Sequence, residues 1–239
     1  MTALLTALRW DVVIQARNGF YWTTAFLVLV VGGLLLAVPE DVRANAALWV
    51  PMVVAVNLQI TTFFFVAGLM LLERDEGTLA ALAVTPLSPG GYLAARMLSL
   101  TALAVTETLA VVWIGFDPAR AWLPMLSGMA ALGIIYTASG AAMAARYASV
   151  NTFLLPASVV VTLLLLPLLP HFGFAPRWLF MLHPTEPSLT LIRAGYGAAG
   201  DLDLVFGLPG SVFWSVVAFL WARRRVRGVM RDTRAGGGR

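Results

Sequence analysis

Few side chains here are able to do chemistry, so each is informative. Glu107, in the stretch LTALAVTETLAVVWIG, is the only acid well inside an apolar run, and Thr106 and Thr108 flank it. An ionised carboxylate there is costly unless it is paired. Three states are open to it: protonated, paired with an arginine of a neighbouring helix, or facing a cationic group on a bound molecule. A plain hydrogen-bonded partner inside the protein is the structural alternative. In the preceding apolar run, Asn57 and Thr61 stand four apart and share a helix face, which Phe64 and Gly68 continue. Gln59 and Thr62 lie on another face. Amides, hydroxyls and rings on one face suit a planar amphiphile, bound by stacking and a few hydrogen bonds. They suit interhelical packing equally well. Ser158 and Thr162 repeat the four-residue spacing further along.

The densest charge is elsewhere. Glu73, Arg74, Asp75 and Glu76 stand in a row, followed by Gly77, Thr78, a short apolar run from Leu79 and the prolines Pro86 and Pro89. Gly77 suits the left-handed residue that ends a helix. Thr78 suits the cap of a new helix, with Asp75 and Glu76 placed near its positive end. Leu79 to Val84 then make about one and a half turns before Pro86 stops them. The expectation is a short, stiff helix with a charged rim, longer than a connection requires.

Other chemistry is excluded. The chain has no cysteine, hence no disulfide and no thiolate metal site. His171 and His183 lack the carboxylate–histidine spacing of a metal site and read as loop residues. All 16 basic residues are arginine. Without a lysine, neither a Walker A loop nor a kinase site can be built. Any ATP and Mg²⁺ must be handled by another polypeptide, and no cofactor is expected on this one.

These residues are carried by an oily chain. Of its 239 residues 60% are hydrophobic and 12% charged, against about a quarter charged in a soluble domain. The solvent that fits is a bilayer. Six spans of roughly 20 apolar residues are expected, near 20–38, 48–72, 92–116, 122–145, 152–170 and 204–222. All must be helical, since backbone groups in hydrocarbon need internal partners. Pro156 and Pro167 predict a kink in the fifth. In the fourth, Gly133, Thr137, Gly140 and Ala144 form a small-residue face for close packing. Ala44-Asn45-Ala46 resembles a cleavage site after the first run, but the structured LLTALRWDVVIQARNGFYW precedes that run, which is expected to be a retained span.

Six spans put both ends on one side. Twelve arginines fall on that side (Arg9, Arg17, Arg74, Arg96, Arg146 and seven in the tail) and four on the other (Arg43, Arg120, Arg177, Arg193). The positive-inside rule makes the first side cytoplasmic. The tail RRRVRGVMRDTRAGGGR reads as an anchor against anionic headgroups, not a nucleic-acid site. Leu4, Leu8 and Val12 make one helical face, so residues 1–19 are expected as an amphipathic helix on the cytoplasmic surface. The long outer segment from His171 to Asp203 carries Pro176, Pro184 and Pro187. It is expected to hold a partly embedded pair of short helices, with SLTLIRAGYG ending near Gly195 or Gly197.

ERDEGTLAALAVTPLSPGGYLAAR resembles the first cytoplasmic loop of ABC-2 type exporter permeases: an acidic–basic pair, Gly-Thr, a small apolar helix, Thr-Pro-Leu and a tyrosine-led next span. The likeness extends along the chain, from the amphipathic N-terminal helix to a re-entrant segment before the last span. LRWDVVIQARNGFYW further resembles the fluoroquinolone export permease branch of actinobacteria. The resemblance implies an all-α integral membrane protein, a single transmembrane domain over 1–239 with a six-span bundle at 20–222 and a basic tail at 223–239. It implies that residues 73–79 carry the coupling helix that docks on a separate ABC ATPase subunit. It also implies a dimer, either of this chain or with a second ABC-2 permease, in which spans two and five line the path. Asn57, Thr61, Phe64, Glu107, Ser158 and Thr162 are then the candidate path residues for a small amphiphilic substrate. Within the class, a lipid or polyketide exporter is the alternative. Outside it, the alternative is a membrane scaffold that uses the loop only to dock a cytoplasmic partner.

Overall fold

The computed structural model describes the backbone at residues 2–78 and 88–236, and the side chains at 4–78, 88–200 and 202–231. The expected coupling helix from Leu79 to Val84 lies outside these residues. The described chain is helical throughout: α1 (Thr2–Arg17), α2 (Phe20–Ala37), α3 (Glu40–Arg43), α4 (Ala46–Gln59), a π-helical turn (Ile60–Phe64), α5 (Phe65–Asp75), α6 (Pro89–Gly115), α7 (Trp122–Ala144), α8 (Val150–Leu165), α9 (Leu168–His171), a 3-10 turn (Arg177–Phe180), α10 (Glu186–Gly195) and α11 (Asp201–Gly236).

Among the described residues five helices are long and apolar enough to cross a bilayer: Phe20–Ala37, Ala46–Asp75, Pro89–Gly115, Trp122–Ala144 and Leu202–Arg231. The expected fifth span, 152–170, is instead a 16-residue helix, α8, followed by a break and the four-residue α9. Pro156 is accommodated inside α8. Chain direction changes at Pro167, whose ring blocks a continuous hydrogen-bond ladder.

α7 is the centre of the bundle, with α4, α5, the π turn, α6, α8, α10 and α11 packed around it. Its small residues explain this position. A side chain on Gly140 would come within 2.4 Å of the Phe63 carbonyl in the π turn, and one on Gly128 within 2.6 Å of the Ser188 carbonyl in α10. Backbones therefore touch where a larger residue would hold them apart. The expected packing face of α7 is present, and Thr137 donates to the Gly133 carbonyl at 2.7 Å. α10 is buried along its whole length. It is seated against Gly128 of α7 and against Gly207 and Gly210 of α11.

Both ends of the described chain bury one face against the bundle. In α1 the inward face is polar, with Asp11 and Gln15 buried, while Leu5, Trp10, Val12 and Val13 point outward. The described part of the basic tail continues the last helix. α11 runs unbroken to Gly236, and Ala222, Val226 and Met230, four apart, bury one stripe of it against the bundle. The arginines Arg224, Arg225, Arg227 and Arg231 occupy the opposite, exposed face.

Candidate functional site

Three buried polar clusters stand out, one at each end of the bundle and one between. The first is an ionic junction at the root of the charged loop. Arg96 of α6 pairs with Asp11 of α1, Nε to Oδ1 at 2.9 Å, and donates from Nη2 to Glu73 at the end of α5. Tyr92 donates its hydroxyl to Glu73 Oε2 at 2.5 Å, and the Arg96 guanidinium lies 5.3 Å from the Tyr92 ring centroid. On the far side, Gln15 donates to Asp11 Oδ2 and to Ser99 Oγ, both at 2.9 Å, and Ser99 donates to Asp11. Arg96 is 2% exposed, Asp11 5% and Glu73 6%. Two carboxylates around one guanidinium, each with extra donors, is the arrangement that makes buried charge tolerable.

Of the expected charged rim at 73–76, part is turned into this junction. Glu73 faces inward. Arg74 bonds the Tyr147 carbonyl after α7, which fixes a second side of the joint. Only Asp75 and Glu76 of the four are exposed. Gly77 has φ +70°, the left-handed conformation expected of a helix-ending glycine, and its N–H bonds the Arg74 carbonyl at 3.1 Å. Thr78 donates its hydroxyl to the Glu73 carbonyl at 3.0 Å, so it closes the helix behind it. Leu79 lies outside the described residues. Sequence reasoning assigned Arg96 to the charge count and missed the roles of Asp11, Gln15, Tyr92 and Ser99. The available signal was the pair Asp11 and Gln15, four apart and so on one face of α1.

The second cluster surrounds Glu107. Thr61 donates to Glu107 Oε2 at 2.6 Å. Asn57 donates Nδ2 to Glu107 Oε1 at 3.3 Å and to Thr108 Oγ1 at 2.9 Å. Glu107 is 2% exposed. Asn57, Thr61 and Glu107 therefore do meet, but they meet one another between α4 and α6. Phe64 is half-buried and edges against Phe63, centroids 5.3 Å apart. Ser158 and Thr162 are not joined to this cluster. They are exposed on α8 and donate to the carbonyls of Leu155 (2.7 Å) and Ser158 (2.8 Å). Gln59, on the other face of α4, bonds the Val161 carbonyl of α8 at 3.0 Å. The π turn follows directly, and such turns disturb the helical ladder at a defined point.

The third cluster lies in the segment after α9. Glu186, fully buried, accepts from Arg177 Nε at 2.9 Å and from Arg193 Nη2 at 2.6 Å. Arg177 Nη1 reaches Asp203 at 2.6 Å, and both arginines bond Thr190. Burial disfavours the Arg177 charge, but the bonds to Asp203 and Glu186 outweigh it and raise its pKa. His171 Nε2 lies 2.7 Å from the Leu48 carbonyl. A carbonyl only accepts, so Nε2 carries the hydrogen.

Helices of this length and apolarity, packed through glycine faces and locked by buried ion pairs, define a multi-pass membrane protein. The model of the fluoroquinolones export permease protein family matches residues 2–227, and the chain belongs to that family. Two curated relatives, each named a fluoroquinolones export permease protein, come from the CDC 1551 / Oshkosh and H37Rv strains of Mycobacterium tuberculosis. Each is 30% identical to this chain over 218 residues, covering 91% of this chain and 88% of the relative.

Proposed function

We propose that the chain is the membrane-spanning subunit of an ATP-driven exporter of amphiphilic drugs, fluoroquinolones among them. The observation that carries this reading is the family membership over nearly the whole chain. ATP would be hydrolysed by a separate ABC ATPase subunit, because a chain without lysine cannot form a Walker A loop. α8 counts as the sixth span, short for a bilayer and extended by α9. Both termini then face the cytoplasm, with α1 lying on that surface, Trp10 and Val12 toward lipid.

The ionic junction supports a coupling role for the loop at 73–89. Exposed Asp75 and Glu76 would meet the ATPase, while Glu73 and Arg74 tie the same joint to α1, α6 and α7. Motion of the docked loop would thus reach three helices at once. The exposed apolar face of α8, with Leu155 and Val159 beside Ser158 and Thr162, suits a second permease copy or a related permease, with the path between them. The closed set Asn57–Thr61–Glu107 favours a structural role for those three and leaves Ser158 and Thr162 as the better path candidates.

The test is reconstitution with the cognate ATPase in liposomes. ATP-dependent accumulation of a fluoroquinolone, abolished by a Walker lysine substitution in the ATPase, is the expected result. Movement of a labelled lipid but no drug would favour the lipid or polyketide alternative. ATPase turnover indifferent to every substrate would favour the scaffold. Orientation is read separately, since the chain has no native cysteine: a cysteine at position 227 should resist an impermeant reagent applied outside intact cells.

A further inference from the structure

We infer that the ends of α2 and α6, with α3 and the first turns of α4, form a binding site for a zwitterionic amphiphile. Two cavities adjoin at this end of the bundle, since Arg43 and Phe116 line both. One, of about 260 Å³, is walled mostly by polar atoms and carries Glu40, Arg43 and Asp117. The other, of about 220 Å³, shows only apolar surface, from Leu35, Trp49, Val53 and Phe116 among others. Taken together they fall within the ~300–1,000 Å³ usual for small-molecule sites.

Local structure explains why charge and oil meet here. α2 stops before Pro39, and α3 lasts only from Glu40 to Arg43. Arg43 folds back, and its Nε donates to the Val38 carbonyl at 3.1 Å. That bond fixes the side chain between the cavities. Its stem faces the apolar one, which has no polar surface, and its guanidinium belongs to the polar one. Opposite, α6 ends at Gly115, and Phe116 is extended, with φ −137° and ψ 161°. Successive side chains in extended backbone point opposite ways, so Phe116 is turned in, 9% exposed, and Asp117 is turned out. The Trp49 ring is braced by Phe172, with centroids 5.6 Å apart. Among the described residues, the terminal nitrogens of Arg43 and the carboxylates of Glu40 and Asp117 have no hydrogen bond or ion pair. A guanidinium suits an anionic group, and two carboxylates suit a protonated amine. A ligand of one sign answers only part of this set; a zwitterion answers all of it, with its apolar body in the second cavity.

The drug arm of this inference rests on the exporter reading; the site itself does not. The chain is purified in dodecyl maltoside, which carries no charge. It is titrated with a fluoroquinolone that bears both a carboxylate and a protonated amine, with that drug's methyl ester and with its N-acetyl form. Wild type should bind the free drug at least about tenfold more tightly than either blocked form, as expected for loss of a charge-assisted contact. Arg43→Gln should bind drug and ester alike, and the double variant Glu40→Gln, Asp117→Asn should bind drug and N-acetyl form alike. A general loss of structure does not produce that crossed pattern. The lipid arm uses dihexanoyl phosphatidylethanolamine and its chain-free headgroup, glycerophosphoethanolamine. Binding of the lipid but not the drug, weakened by the same variants, keeps the site and makes a lipid its occupant. The headgroup alone should bind at least about tenfold more weakly than the lipid; equal binding overturns the amphiphile assignment. Drug binding in the crossed pattern without ATP-dependent transport keeps the site and removes the exporter reading. Failure of both drug and lipid to bind, or binding that the charge variants leave unchanged, overturns the site.

Discussion

Replacing Arg96 by methionine tests the ionic junction most directly. Methionine keeps an unbranched apolar stem, shorter than that of arginine, and removes the charge. Asp11 and Glu73, both nearly inaccessible, then lose the cation they share. Breaking a buried pair from one side costs about 3–5 kcal/mol. Tyr92, Ser99 and Gln15 still donate to the two carboxylates, which places the expected loss at the lower end, about 3 kcal/mol. At roughly 2–4 °C per kcal/mol for a chain of this size, the melting point falls by about 6–12 °C. The triple variant Asp11→Asn, Glu73→Gln, Arg96→Met removes all three charges and should recover most of the loss, because no unpaired ion remains buried. The assay is thermal unfolding of the detergent-purified chain followed by tryptophan fluorescence. An Arg96→Met loss below about 1 kcal/mol, or a triple variant no more stable than the single, would refute the claim that opposed charges are the reason for this cluster.

The left-handed joint makes a second prediction. A side chain at Gly77 meets nothing within 4 Å, so Gly77→Val costs backbone strain alone, about 1–2 kcal/mol. Gly77→Asn should be milder; export that is normal in both, at matched membrane abundance, would show that the geometry is not required. At Glu107, leucine strands Thr61 and one bond of Asn57 at about 1–3 kcal/mol, while Glu107→Gln keeps an acceptor and loses less. A drug-selective change in resistance at unchanged stability would instead put cargo at this carboxylate. His183 provides the pH dependence. Burial lowers its pKa, and its Nδ1 accepts the Thr185 backbone N–H at 3.3 Å. Stability is then full above the unfolded value of about 6.5 and declines as pH falls below it, since the unfolded chain takes the proton first. Melting points at high and low pH should converge for His183→Gln relative to wild type; an identical pH dependence in both would exclude this group.

Much of the architecture was legible in one dimension. Long apolar runs report their own helices, because hydrocarbon leaves the backbone no other partner. Gly77 announced its left-handed turn, and the small residues of α7 announced close packing, since both follow from the size of a single side chain. Asn57 and Thr61 were correctly placed on one face by their spacing. What that face looks at was not legible, because spacing describes one helix and says nothing of its neighbour. The same limit hid the junction. Residues 11, 73 and 96 are far apart in sequence, and only the approach of α1, α5 and α6 makes one guanidinium the partner of two acids. Two rules also misled for a physical reason. In α1 the buried face carries Asp11 and Gln15, which find partners across the bundle, so apolar periodicity did not mark it. In α11 the exposed arginines masked the buried stripe Ala222–Val226–Met230 that packs the end of the helix against the bundle. The sequence by itself determined which segments are helices and where they turn. The tertiary structure decided which charges are buried, since burial of charge depends on a partner that only packing can bring within reach.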